Sequence, residues 1–215
     1  YQKEQDPIRG VFAYVADGLL QPGEEAPAHQ PQLLPGQVKL KNINGDDKLN
    51  EEDMVLIGRN DPKFIFGFNN NFSYKNFDLN IYMYGQVGKI AGANSYYDAW
   101  GSYGNRIKLG QNVPVSFKDA WSSDNQTSTR PSFIESAYGT GDLFLQKISF
   151  LRIRNITLGY TVPISKSICN RLRVYADVNN PCVWTNWKGQ DPETDSNTNA
   201  YPNVTSFSIG VDISF

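Results

Sequence analysis

The chain has 215 residues, enough for one or two domains, and its 20 Lys+Arg against 22 Asp+Glu leave a net charge of −2. That balance argues against a nucleic-acid partner or a polybasic membrane-surface role. Mean hydropathy is −0.48 and no apolar run approaches the ~18 residues of a transmembrane helix, which excludes a helical membrane protein but not a β-barrel, whose strands hide their hydrophobicity by alternation.

The opening YQKEQDPIRG has neither an initiator Met nor an apolar h-region, so it is no signal peptide; either a signal has been removed or this is the back end of a longer chain. Gly10 to Ala16 (GVFAYVA) is a short strand candidate and Asp17-Gly18 a turn. Gln21 to Gly36 is a Pro-rich loop that carries the single histidine, His29, as a loop residue. With one His and two Cys, Cys169 and Cys182, the chain lacks a His-dependent triad, a zinc spacing and a disulfide framework.

Lys41 to Asp53, KNINGDDKLNEED, has the spacing of an EF-hand-type calcium loop. Counted from Asn42, the ligand positions are Asn42, Asn44, Asp46, Lys48 by its carbonyl, Asn50 through water, and Asp53. Asn at position 1 and Asp47 in place of Gly at position 6 depart from the pattern; the competing reading is a tight polar turn held by Asn and Asp side chains.

Phe64 to Tyr74 alternates, with Phe64, Phe66, Phe68, Phe72 and Tyr74 on one face against Gly67, Asn69, Asn71 and Ser73. After a two-residue Lys75-Asn76 turn, Phe77 to Val87 alternates again, so two eleven-residue strands form a hairpin. Gly88 to roughly Gly141 is a long polar region, expected of a barrel loop; its Tyr96, Tyr97, Trp100, Tyr103 and Trp121 either stack on sugars or pack the loop, and packing is favoured. Leu143 to Val162 follows, with Arg152 and Arg154 on strand that extends beyond the membrane, and Pro163 ends it. Leu172, Val174, Ala176 and Val178 alternate with Arg173, Tyr175, Asp177 and Asn179, and Pro181 to Asn203 is another polar loop.

The last strand, Ser206 to Phe215, alternates without a break and has the roughly nine to eleven residues that a tilted membrane-crossing strand needs. The pattern predicts an all-β, antiparallel transmembrane β-barrel segment of about six strands. Phe207, Ile209, Val211, Ile213, Leu79, Ile81, Val174 and Ile156 should face lipid, and Ser208, Asp212, Asn80 and Asp177 the lumen. Every long connection falls on one side and every short one on the other. Six strands cannot close around a channel, so an open edge in lipid would need further strands.

The segments KLKNINGDDKLNEEDMVLIGRNDPKFIFGFNNNFSYKNFDL, DAWSSDNQ, SFLRIRNITLGYTVP, GQDPETD and YPNVTSFSIGVDISF resemble the C-terminal end of the SusC/RagA family of TonB-linked outer-membrane transporters. The resemblance implies that residues 1–215 are the C-terminal part of a 22-stranded barrel with long extracellular loops, preceded by a plug domain. It also implies import of an oligosaccharide or peptide with TonB and a SusD-like surface lipoprotein as partners. The alternative from another class is a soluble calcium-dependent carbohydrate-binding β module. A hydrolase has little support, since Asp191 and Glu193 lie in a loop around Pro192 with no partner acid.

Overall fold

The computed structural model describes residues 9–92, 109–110, 112, 115–133, 137, 139–164, 169–189, 191–194 and 200–215. Tyr96, Tyr97, Trp100 and Tyr103 lie outside them. The chain divides into two compact units, Tyr1–Asp61 with Ile90–Gln146 and Asp195–Thr198, and Pro62–Lys89 with Lys147–Thr194 and Asn199–Phe215.

The first unit holds four short strands: β1 (Gly10–Ala13), β2 (Ala16–Leu19), β3 (Val38–Leu40) and β4 (Val55–Arg59). Strand β1 pairs antiparallel with β4, and β2 with β3. Leu19, Val38 and Leu40 form its buried core, against which Tyr14, Ala16, Leu49 and Trp121 pack. Gly36, at φ 84°, lies under the Trp121 ring, and a Cβ there would sit 2.6 Å from Cδ2 of the indole. Trp121 therefore packs the loop, as favoured from sequence. The Pro-rich stretch is tied down by Gln30, fully buried, whose amide accepts from Leu40 N at 2.7 Å, and by His29, whose Nε2 donates to the Leu40 carbonyl at 2.8 Å. An amide that mimics a neighbouring strand is a local device invisible to periodicity.

The second unit is one sheet in sequential order, β5 (Phe64–Tyr74), β6 (Phe77–Gly92), β7 (Leu145–Val162), β8 (Arg171–Thr185) and β9 (Ser206–Ser214). It has five of the about six expected strands; Gly10–Ala13 pairs with Val55–Arg59 instead. Each pairing follows from matching faces. Phe68 opposes Met83 and Phe72 opposes Leu79; Leu158 opposes Ala176 and Ile156 opposes Val178; Val174 opposes Val211 and Ala176 opposes Ile209. A one-residue slip would move every one of these to the other face. The tight turn puts Lys75 at φ 53°, as a two-residue hairpin loop demands.

Among the described residues of this unit no second layer packs on the apolar face. Phe207 is 77% exposed, Ile209 84%, Val211 55% and Ile213 53%, while Leu79, Ile81 and Ile156 are only partly covered and none is buried. A soluble sandwich would bury these side chains between two sheets. In this sheet order the short connections, at Lys75-Asn76 and 163–170, share one end, and the long ones, 93–144 and 186–205, share the other. Cys169 and Cys182 are both free thiols.

Candidate functional site

The face opposite the apolar one is a continuous surface of hydrogen-bonded polar side chains. On β5 and β6 the Asn80 amide donates to Asn69 Oδ1 at 2.7 Å and to Asn71 Oδ1 at 2.6 Å. On β7, β8 and β9, Asp177 accepts from Asn155 Nδ2 at 3.0 Å, Thr157 Oγ1 at 2.6 Å and Ser208 Oγ at 3.1 Å. Arg173 binds Asp78 through Nε at 3.0 Å and Nη2 at 2.5 Å, and Asp212 through Nη1 at 3.0 Å. That triad spans β6, β8 and β9, and passes over β7 at Gly159. A Cβ at Gly159 would sit 2.5 Å from Asp78 Oδ1 and overlap the Arg173 guanidinium. All four residues expected to face the lumen, Ser208, Asp212, Asn80 and Asp177, stand on this face.

A second cluster crowns the long-connection end of β7. Arg152 is 3% exposed and reaches Asp191 Oδ1 through Nη2 and Glu193 Oε1 through Nε, both at 2.8 Å. Arg154 completes it, with Nη2 2.7 Å from Glu193 Oε2 and its guanidinium 5.8 Å from the Tyr84 ring centroid. Asp191 also accepts from the backbone N–H of Glu193 at 2.9 Å and of Asn203 at 3.0 Å. Burial pushes its carboxyl up, but those N–H groups and Arg152 outweigh burial and hold it below the usual carboxylate range. The polar connection is thus strapped to β7 at 191–193, and Asn203 is tied in turn to Asp191 and Glu193. Sequence reasoning placed these two acids in a loop without a partner; the signal it passed over was the pair of arginines at alternate positions of one strand.

The calcium-like loop places its six predicted ligands on one turn, where most of their oxygens serve the turn's own donors. Asn42 Oδ1 accepts from Gly45 N at 2.7 Å, Asn44 Oδ1 from Asp46 N at 3.0 Å, and Asp46 Oδ1 from Lys48 N at 2.9 Å. Asp53 is fully buried and accepts from Ile43 N at 2.7 Å, Asn44 N at 3.3 Å and Asn50 N at 2.9 Å. Asn50 caps the short 3-10 turn Glu51–Asp53, and with Asp53 forms a reciprocal capping box. Burial raises the Asp53 carboxyl, and the three N–H bonds, helped by His29, overcome it, so the net displacement is downward. The amides of Asn44 and Asn50 present their nitrogens to Asp46 Oδ2, at 3.1 and 3.3 Å. Among the described residues no group of three His, Cys, Asp or Glu is placed to hold a metal.

No protein-family model matches the chain. TonB-dependent receptor P3 of Formosa agariphila is 27% identical to it over 236 residues, a match that takes in 99% of this chain and 23% of that receptor. Its homologues are TonB-dependent receptors. TonB-dependent receptor SusC of Bacteroides thetaiotaomicron is 27% identical over 180 residues, covering 80% of this chain and 17% of SusC. The chain thus spans about a quarter or less of the curated TonB-dependent receptors it matches. In solved structures the fold recurs in the RagAB peptide transporter, at a TM-score of 0.72 and 21% identity, covering 96% of this chain and 23% of that one. The RagAB peptide importer in its closed-closed state gives 0.67 over the same share. The curated relatives are named as receptors, and the solved neighbours as a peptide transporter or importer. The fold is thus an all-β, antiparallel sheet consistent with a β-barrel segment, shared with the RagAB structures, and the matched relatives are TonB-dependent receptors.

Proposed function

We propose that residues 1–215 are the C-terminal part of a TonB-dependent receptor in the outer membrane, and that the receptor imports an oligosaccharide or a peptide. The five strands β5 to β9 are a sector of its barrel wall. The observation that carries the reading is the two-sided sheet: an uncovered apolar face from Phe64 to Ile213, backed by a hydrogen-bonded polar face. Such a surface is stable where lipid meets one side and water the other. A SusD-like lipoprotein would sit at the end bearing the long connections, and TonB would act on a part of the receptor outside these residues.

The test uses the full-length receptor in outer-membrane vesicles, with Ile209→Cys and Ser208→Cys compared. A membrane-impermeant thiol reagent should react with the cysteine at 208 and spare the one at 209, which a lipid-phase reagent should label. Equal labelling of both from water would favour the soluble carbohydrate-binding module. Growth on a single glycan or peptide source, lost when the receptor is deleted, identifies the import function itself.

Calcium belongs to this reading as a structural ion of the loop 42–53. The donors Asn42, Asn44, Asp46, Asn50, Asp53 and the Lys48 carbonyl are hard oxygens suited to it. To bind there, the ion would have to draw the Asn44 and Asn50 oxygens away from the Asp46 and Glu52 N–H groups that they now accept from. Calcium should then slow proteolysis of the loop in the full-length receptor, and Asp46→Ala should remove the effect. Cleavage at one rate with calcium and with chelator would leave the plain polar turn.

A further inference from the structure

The polar face carries its charges at two levels, with a neutral band between them. At one level Arg173 is shared by Asp78 and Asp212; at the other Arg152 and Arg154 are matched by Asp191 and Glu193. The band between is built of amides and hydroxyls: Asn69, Asn71, Asn80, Asn155, Thr157 and Ser208. Asp177 is the exception. Both its oxygens accept hydrogen bonds, every donor to it is uncharged, and among the described residues no ion pair includes it. Arg173 lies four residues along the same strand, about 13 Å away at 3.3 Å per residue, which exceeds the ~8 Å screening length of physiological salt.

We infer that, in the receptor proposed above, Asp177 sets the charge selectivity of this stretch of wall, admitting uncharged hydroxyl- or amide-bearing solutes and cationic ones while turning anionic ones away. The inference rests on the import reading and on this geometry. Amides and hydroxyls exchange hydrogen bonds with a neutral solute at little cost, because each Asn both donates and accepts. A carboxylate or sulfate entering the same band finds one fixed negative charge and only matched cations, since Arg154, which reaches Asn180 three residues from Asp177, pairs with Glu193, and Arg173 with Asp78 and Asp212. A close approach between like charges at a partly desolvated surface is enough to lower occupancy by about tenfold or more.

The experiment offers the full-length receptor, purified in detergent, a pool of fluorescently tagged neutral, aminated and carboxylated oligosaccharides and peptides of matched length. The unmodified receptor should retain the neutral and aminated members over the carboxylated ones. Asp177→Asn should raise the carboxylated-to-neutral ratio by about tenfold. Asp17→Asn, which removes an exposed carboxylate of the first unit, should leave the ratio where it was. A salt titration of the unmodified receptor gives a readout free of any folding defect, since retention of carboxylated solutes should climb as screening shortens. An unchanged ratio in Asp177→Asn, an equal shift in Asp17→Asn, or a flat salt response overturns the inference and leaves the import reading standing. Retention of no solute at all by the unmodified receptor overturns both.

Discussion

Leu19, Val38 and Leu40 in the first unit are covered by Tyr14, Leu49 and Trp121, whereas Ile209, Val211 and Phe207 in the sheet stand exposed among the described residues. Conversely, the sheet unit seals Arg152 and Asp191 away from water, while the first unit buries Gln30 and Asp53 only because backbone groups complete their hydrogen bonds. Aliphatic residues obey opposite rules in the two regions, and on the proposed reading this is because the solvents differ. In water an exposed aliphatic face loses about 25 cal/mol for each Å² left uncovered; against lipid it loses nothing. Alternation along the strand tells which residues share a face. The solvent on that face must be inferred from strand length and from what the other face carries.

The sharpest way to break the comparison is through the buried ion cluster. Arg152→Ala leaves Asp191 and Glu193 enclosed without their main cation, and should cost about 3–5 kcal/mol in the opening of the connection around 191–203. Hydrogen exchange at the Glu193 and Asn203 amides in the full-length receptor reads that opening. Exchange rates unchanged from the unmodified protein would mean the strap is held by other contacts.

Val211→Arg separates the two solvents directly. If the apolar face meets lipid near mid-membrane, the cost is about 2–4 kcal/mol, measured by urea unfolding from lipid vesicles. If that face meets water, a substitution at a half-exposed position should stay within about 0.5 kcal/mol. The third experiment belongs to the first unit. Asp53→Ala strands three backbone N–H groups and should loosen the loop 42–53 by about 1–3 kcal/mol, as seen in its proteolysis rate. The pH dependence has a definite sign: the Asp53 carboxyl is held below its unfolded value near ~3.9, so its stabilisation is present above that value and fades as pH falls through the lower folded one. An acid-induced opening that persists in Asp53→Asn would assign the titration to another group.

Much of the sheet unit was legible because period-two patterning over eight to eleven residues leaves few alternatives. The face assignments of Leu79, Ile156, Val174 and Ile209 followed from parity alone. The first unit was largely illegible. Strands β2, β3 and β4 have three to five residues each, too short for alternation to stand out, and β1 found its partner some 45 residues away in sequence. The Arg152 cluster was missed for a related reason, since residues 39 and 41 positions apart meet only through the fold. In the loop 42–53 the spacing of oxygens was readable, but the direction each amide faces was not.

Gly159 has a mechanical consequence. Because it has no side chain, the Arg173–Asp78 pair reaches from β8 to β6 across the intervening strand. Backbone ladders resist separation of strands but allow them to slide by two residues, about 7 Å, with every face preserved. A side-chain tie that skips a strand does not survive such a slide, so it works as a shear pin that fixes the stagger of three neighbouring strands. The stagger of a barrel sets its tilt and bore. On the proposed reading, filling the gap with a methyl group at 159 would therefore break the tie and act on the diameter of the barrel.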